Sequence, residues 1–461
     1  MRQLFEGRLT LEDMATHVAH QFKVPKGTGT IRVAFTHEPR HPGVGPIAHQ
    51  LSISIYGPNG ARGTRHNNAD QNPIISSLWA SPGYLKGPIE PGEWLVEIDV
   101  HRILPPGGVT YQIEFTCEIA EIQTIDMEPL PKALQAARRR GPGWYTGDLH
   151  GHTFHSDGDY SPAEYLSVAH QRGYDFIALT DHNTSSALPE IRQLAGNTIT
   201  VIAGVELTTF NGHSLVLGKE DWIDWRVKDG TTMSGSVRSL QQAGALFIIA
   251  HPKAEGHPFC TGCRWAHSDM LPGPARHVEI WNREWTEYSF NEDSVRLFYQ
   301  WLNSGYRMIA TGGTDTHRPI RSGYRISTNR VFANDNTEAE ILAAIKLGHS
   351  YVTGGPELSF DARGGDGRMA AMGDLVVAGE ITISCGWVQS VSDDVVVDLE
   401  ARLICRGRVT KRWRCDEQHS AIHYVHAKAG QWFTLELRDA TGGLHSMSNP
   451  LYIGQADQHW R

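Results

Sequence analysis

The feature that most constrains this chain is a unit that recurs through its middle: an amphipathic helix, a glycine, then a short, mostly apolar strand. In "SPAEYLSVAHQRGYDFIALTDH", Ser161 precedes Pro162 and is followed by Glu164, the pattern of a capping box with proline at the first helical position. Tyr165, Leu166 and Ala169 recur at helical spacing, and Gly173 stands where a left-handed C-terminal residue is expected. "FIAL" is then apolar without alternation, as in strands buried on both faces of a parallel sheet. "SVRSLQQAGALFIIAHP" and "SVRLFYQWLNSGYRMIATGGTDTH" repeat the unit, and "NTEAEILAAIKLGHSYVTGGP" closes it. Repetition of this kind over residues 144–356 predicts an α/β domain, either a parallel barrel or a doubly wound sheet.

The flanks have a different grain. Residues 1–143 carry short alternating runs, "TIRVAFTHE", "QLSISIYGPNG", "GEWLVEIDVH" and "VTYQIEFTCEI", broken by Pro and Gly turns. Alternation with a period of two predicts an antiparallel β-sandwich, jelly-roll-like, with one solvated face. The adjoining stretch "ALQAARRRGPGWY" reads as a short helix and linker, with Arg138, Arg139 and Arg140 solvated rather than forming an anion patch. Residues 357–461 return to alternation in "EITISCGWV", "VVVDLEARLIC", "AIHYVHA" and "WFTLELRDA", a second all-β sandwich.

Composition narrows the function classes. The 461 residues exceed a single core, and 40% hydrophobic with 20% charged residues is ordinary globular usage. With 42 Lys+Arg against 51 Asp+Glu the net charge is −9, so a basic face for duplex nucleic acid is not expected. No apolar run approaches the roughly 20 residues of a membrane span. "MRQLFEGRLTLEDMATHVAHQF" lacks the apolar core and cleavage site of a secretory signal, and six scattered cysteines suit a reducing compartment. A cytoplasmic location is therefore expected. Cys260 and Cys263 form a CxxC, but without a second pair it is a weak zinc signal.

The residues at the end of each buried strand carry the chemistry. The first strand ends in His150 and His152 with Asp157 soon after, and the second ends in "TDH" with His182. "VIAGVE" ends in Glu206, "GHSLVLG" begins with His213, "LFIIAHP" ends in His251, and "MIATGGTDTH" ends in Asp315 and His317. Strands of a parallel barrel all end on one rim, where such folds build their sites. A lone histidine is more often a hydrogen-bonded core residue than a ligand. Recurrence at six chain segments is different, because so many buried imidazoles and carboxylates are expensive to satisfy without metal. Nine donors exceed the four of zinc or the roughly six of hard ions. Two or three divalent ions are expected, with Glu206 bridging a pair, and the N and O donors fit Zn, Mn or Fe.

At these residues the chain resembles the polymerase and histidinol phosphatase (PHP) superfamily, whose ordered pattern of HxH, His or Asp, TDH, Glu, His, AHP and DxH is matched at all nine positions from His150 to His317. "HTFHSDG", "ALTDHN", "EIWN" and "YVTGGP", with the flanking sandwiches, resemble more narrowly the CehA/McbA-type metallohydrolases. The resemblance implies a distorted seven-stranded (β/α) barrel. It implies one ion on His150, His152, Glu206 and Asp315, a second on Glu206, His213 and His251, and a third on Asp157, His182 and His317. Asp157 departs from the His of several family members and makes the third position harder. The implied activity is hydrolysis of a small-molecule ester, a phosphomonoester or phosphodiester, by a metal-bridging hydroxide.

Around that set, His155 is a candidate general acid, although a loop histidine is the plainer reading. Asp148 is expected to orient a ligand imidazole from behind. Arg283, Arg318 and Lys253 are candidates for gripping phosphate. The insert "HPKAEGHPFCTGCRWAHSDM" is expected to form a lid. Trp265, Trp281 and Trp285 would line an aromatic pocket if the substrate were instead a carbamate or carboxylic aryl ester, the alternative reading. A third reading is a glycan- or partner-binding module on a degenerate scaffold, against which the complete donor set argues. The sandwiches have three open roles: shaping the cleft, building a homo-oligomer, or binding saccharide.

Overall fold

The computed structural model describes residues 1–43, 47–67, 71–120, 137–226, 230–286, 290–319, 325–388, 398–454 and 460. The first part is two four-stranded antiparallel sheets packed face to face. One runs in the order Arg2–Leu9, Val109–Glu118, Thr30–Glu38, Ile74–Ser76; the other runs His17–Val24, Gly92–Arg102, Gln50–Gly57, Gly60–Thr64. Alternate residues of these strands, among them Ile31, Val33, Ile53, Ile55, Val96, Ile98 and Phe115, fill the space between the sheets. That is what period-two patterning requires.

The middle part is strand-rich α/β. Its strands are β1 (Gly143–Asp148), β2 (Phe176–Leu179), β3 (Thr200–Thr209), β4 (Gly212–Leu217), β5 (Leu246–Ile249), β6 (His277–Asn282) and β7 (Ile309–Gly313). They form one continuous path in that order. The helices are α1 (Pro162–Gln171), α2 (Leu188–Ala195), α3 (Met233–Gln242), α4 (Phe290–Asn303) and α5 (Glu338–Leu347). The Ser161–Glu164 capping box forms as the sequence predicts, and Gly173 has φ +67°. "FIAL" serves both faces of the sheet. Phe176 and Ala178 pack with Ile341 and Ile345 of α5, while Ile177 and Leu179 pack with Leu166 of α1 and Ile191 of α2. Burying each of the large side chains contributes about 1.5–3 kcal/mol.

Among β1 to β7 the sheet departs from a uniform parallel repeat at one place. β4 is antiparallel to both β3 and β5, whereas β1–β2, β2–β3, β5–β6 and β6–β7 are parallel. Only Phe210 and Asn211 join β3 to β4, too few residues for a crossover, so the chain turns back as a hairpin. The reversal puts the start of β4, not its end, on the rim. His213 sits there opposite Thr208. A parallel bridge between Gly151 and Thr316 joins the chain just past β1 to the chain just past β7, at that same rim.

The third part shares hydrogen bonds with the middle. β8 (Thr328–Ala333) lies beside β1, and β9 (Ser350–Thr353) pairs with β8 and with Leu444–Ser448, so one sheet runs from the middle domain into the last hundred residues. A separate four-stranded sheet, Met369–Ala371, Glu357–Arg363, Gly379–Val388 and Ser420–Ala427, covers it. Arg139 pairs with Asp175 at 3.3 Å and Arg140 with Asp335, tying the linker to the surface of the middle domain rather than holding an anion. The helix expected just before them lies largely outside the described residues. Among the described residues no helix is long and apolar enough to cross a membrane.

Candidate metal centre

Four non-glycine residues on the strand-end rim, Asn183, His251, Arg283 and Asp315, have positive φ. Such backbone costs about 1–3 kcal/mol per residue and persists where the surroundings demand it. Two of the four, His251 and Asp315, are donors of the site.

All nine donors read from the sequence come to this rim, with Glu206 at the middle and fully buried. Its Oε1 lies 3.2 Å from His213 Nδ1 and 3.0 Å from His251 Nε2. Its Oε2 lies 3.2 Å from both His150 Nε2 and His152 Nε2, and 3.1 Å from His182 Nδ1. Asp315 Oδ1 faces His152 Nε2 at 3.1 Å and His150 Nε2 at 3.4 Å. Asp157 Oδ1 faces His317 Nε2 at 3.2 Å and His182 Nε2 at 3.5 Å. One donor atom from each of His150, His152, Glu206 and Asp315 lies within 4.8 Å of the others, and so do those of His152, Asp157, His182 and His317.

The decisive observation is what these atoms lack. His150 Nε2, Glu206 Oε2, His213 Nδ1 and Asp157 Oδ1 are buried without a hydrogen-bond partner. Lone pairs facing lone pairs at buried atoms are costly unless a proton or a cation lies between them. In the protein alone protons take that role. Burial opposes charge on His152, but the facing carboxylates of Asp315 and Glu206 win and raise it to about 10. Burial likewise opposes charge on Glu206, yet His150, His182 and His213 hold it well below the usual carboxylate range. A divalent cation satisfies the same geometry with N and O ligands, so the donor set fits metal.

Groups behind the donors set their orientation. His317 Nδ1 donates to its neighbour's carbonyl, Asp315 O, at 2.9 Å, leaving Nε2 for Asp157. Glu279, in "EIWN" on β6, escapes a reading by strand ends and is the best-placed of these supports. Its Oε1 meets His150 Nδ1 at 3.1 Å, and its Oε2 accepts from the backbone N–H of His251 at 2.9 Å and from Asn282 Nδ2 at 3.0 Å. A carboxylate inside a fully buried strand is the signal that could have found it. Asp148 has another task than the one expected. Its described hydrogen bonds reach no imidazole; it accepts from the backbone N–H of His150 and of Thr314 and from the Thr314 hydroxyl, locking β1 to β7.

The donors open into a cavity of about 910 Å³. Arg283 and Arg318 line it, and Arg283 Nη2 holds Asp315 Oδ2 at 3.2 Å. Lys253 is exposed and outside the lining, so its expected grip on phosphate is not supported by position. His155 is also outside the lining. Its Nδ1 is bound to Ser186 Oγ at 2.7 Å, and burial, with Arg65 nearby, pushes it down to about 3, which unsuits it as a proton donor. Trp265, Trp281 and Trp285 pack in the core and do not line the cavity, so the expected aromatic pocket is absent from the described lining. The insert does reach the mouth, through Phe259, Cys260, Thr261 and Cys263. Cys260 and Cys263 are joined by a disulfide.

The far wall comes from the N-terminal sandwich, which no local pattern announced. Gln50, His66, Asn67 and Arg102 line the cavity, and the His66 ring lies 4.8 Å from that of His182. The sandwich is pinned there by Asn67 Nδ2 to Ser156 O at 2.8 Å and Thr184 Oγ1 to Gly83 O at 2.9 Å.

Comparison with known proteins gives likenesses in sequence and in fold. An uncharacterized protein of Methanocaldococcus jannaschii is 27% identical over 125 residues, 24% of this chain and 69% of its own length. A two-domain protein from Bacteroides vulgatus containing a predicted PHP-like metal-dependent phosphoesterase superposes with TM-score 0.42 at 17% identity, over 71% of this chain and 100% of that one. An amidohydrolase from Chromobacterium violaceum, with bound sulfate and no metal, gives TM-score 0.28 at 18% identity over 38% of this chain and 88% of its own. Residues 148–297, the stretch that holds every donor from His150 to His251 and Glu279 with them, match the PHP domain.

Proposed function

We propose that this chain is a multinuclear metal-dependent hydrolase of phosphomonoesters or phosphodiesters, built on a distorted seven-stranded barrel of PHP type and similar in plan to the CehA/McbA-type subgroup. The observation that carries the reading is the set of buried, mutually facing donor atoms without hydrogen-bond partners around Glu206. His150, His152, Glu206 and Asp315 would hold one divalent ion, Glu206, His213 and His251 a second, and Asp157, His182 and His317 a third, with Zn, Mn or Fe as the fitting elements. Bound ions would supply Lewis-acid polarisation of the ester and acidify a shared water.

The residues of the chain do the rest. Glu206 fixes the spacing of two positions because each of its oxygens faces a different set of imidazoles. Arg102, Arg283 and Arg318 line the cavity; Arg102 already bonds loop carbonyls and Arg283 holds Asp315, so Arg318 is the guanidinium best placed to meet an anionic substrate. The volume admits a phosphoryl group together with a sizeable leaving group. The core placement of the three tryptophans removes the feature that had favoured an aryl carbamate.

The test is a substrate panel on metal-replete protein: p-nitrophenyl phosphate, its bis-ester, and 1-naphthyl acetate and carbamate. Cleavage of at least one phosphate ester, lost on chelation and restored by Mn or Zn, is expected. Inert phosphate esters beside a cleaved naphthyl carbamate would move the chain to the alternative class.

A further inference from the structure

The CxxC loop does more than cover the mouth. His213 Nε2 donates to Thr261 O at 3.3 Å, and His251 Nδ1 donates to Cys263 O at 3.1 Å. In each ring the opposite nitrogen is the one that faces Glu206 Oε1. Two backbone carbonyls of one short loop therefore set the tautomer and aim of both imidazoles at one position of the cluster. Between them, Gly262 has φ +79°, and a Cβ there would lie 2.1 Å from Thr209 O and 3.2 Å from His213 Nε2. The loop therefore packs on the Thr209 backbone and beside the His213 ring with no room for a side chain at this position. It is closed at both ends: Arg102 Nη1 donates to Pro258 O and Phe259 O, each at 3.1 Å, and the Cys260–Cys263 bond spans the turn that carries the two carbonyls.

We propose that the Cys260–Cys263 disulfide is a positioning element for the ion held by Glu206, His213 and His251, and that an external dithiol, by opening it, weakens cation binding at that one position. This rests on the metal reading above. The chemistry is thiol–disulfide exchange. A thiolate of the dithiol attacks one sulfur, the Cys260–Cys263 bond breaks, and the dithiol closes into its own disulfide while both cysteines leave as thiols carrying the dithiol's two protons. The freed loop keeps its Arg102 anchor but loses the constraint on Thr261 and Cys263, so His213 and His251 regain alternative rotamers and tautomers.

The experiment titrates Mn(II) by electron paramagnetic resonance, and Zn(II) by competition, into three full-length proteins: wild type, C260S/C263S, and G262A, which keeps both cysteines. Wild type is also measured after dithiol reduction, alkylation and removal of the reagent. Reduced wild type and both variants are expected to lose affinity for one ion by about 10- to 100-fold, with the remaining ions unaffected. Long-range proton–nitrogen spectra of the zinc-loaded protein should show two imidazoles losing a single fixed tautomer, a signature that general destabilisation does not give. Equal affinities in all forms, a uniform loss at every position, or Cys260 and Cys263 found as thiols in protein purified without reductant, beside the four free cysteines, would each overturn the proposal while leaving the metal centre standing. Wild type that takes up no ion at all would remove both.

Discussion

The protein contains two clusters of histidine and carboxylate that look alike in composition and differ in bonding. In the N-terminal sandwich, His17, Glu97 and Asp99 bring donor atoms within 4.8 Å of one another, as the rim residues do. There, Asp99 Oδ1 is bonded to His17 Nδ1 at 2.7 Å, Asp99 Oδ2 accepts from Ser54 at 2.7 Å, and Glu97 Oε1 is paired with Arg226 at 3.2 Å. Of these side chains only Glu97 Oε2 is a described buried atom without a partner. At the rim, His150 Nε2, Glu206 Oε2, His213 Nδ1 and Asp157 Oδ1 are in that condition and face other donors. Residue type makes a metal site conceivable. Unsatisfied lone pairs, with no guanidinium or hydroxyl to answer them, are what make it a site.

The comparison can be broken most directly at Glu206. Glu206→Gln removes the charge shared by two ion positions, so bound metal by elemental analysis and turnover on a phosphate ester should fall together, turnover by about 100- to 1000-fold. Retained metal with lost turnover would mean that Glu206 does not bridge. Glu279→Gln acts one step behind the donors. It should weaken metal affinity by about 10- to 100-fold, with kcat recovering at saturating metal. Unchanged affinity would reduce Glu279 to a packing residue.

Acidity sharpens the contrast further. With ions removed, His152 is raised to about 10, and His150 is also raised, because burial is outweighed by their carboxylates. A raised imidazole stabilises the fold fully below its unfolded value of 6.5 and loses that contribution as pH climbs through about 10. Chelated protein should therefore melt at progressively lower temperature across that window. Metal affinity should instead grow with pH, since binding displaces protons. A chelated melting temperature flat over the window would contradict the ion-pair description. The smallest effect on metal belongs to the sandwich. Asp99→Asn breaks a satisfied buried network and should cost about 1–3 kcal/mol of stability by denaturant titration, with metal content unchanged. A loss of ions there would place a cation where hydrogen bonds now suffice.

Much of the rim was legible because its donors are coupled to local patterns. "FIAL" with "TDH" directly after it, and "LFIIAHP", put a histidine next to a run that only a doubly buried strand explains. Glu279 was less legible, since a buried carboxylate in "HVEIWN" looks the same whether it supports a ligand or bonds a backbone. His155 misled for the opposite reason: it sits among donors in sequence, yet its ring turns to Ser186 and the sandwich. Lys253 comes two residues after His251 and still lies outside the cavity lining.

By itself the sequence determined the alternation of the flanks, the helix–strand units of the middle and the order of the metal-binding residue types, because each is written in the spacing of neighbouring side chains. Tertiary structure alone decided that β4 runs backwards and brings His213 to the rim, that His66 and Arg102 of another domain complete the wall, and that Thr261 and Cys263 hold two imidazoles. Such contacts join remote segments, as Arg102 and Phe259 are separated by 157 positions. Spacing along a chain carries no record of a distance closed only when separate cores pack against each other.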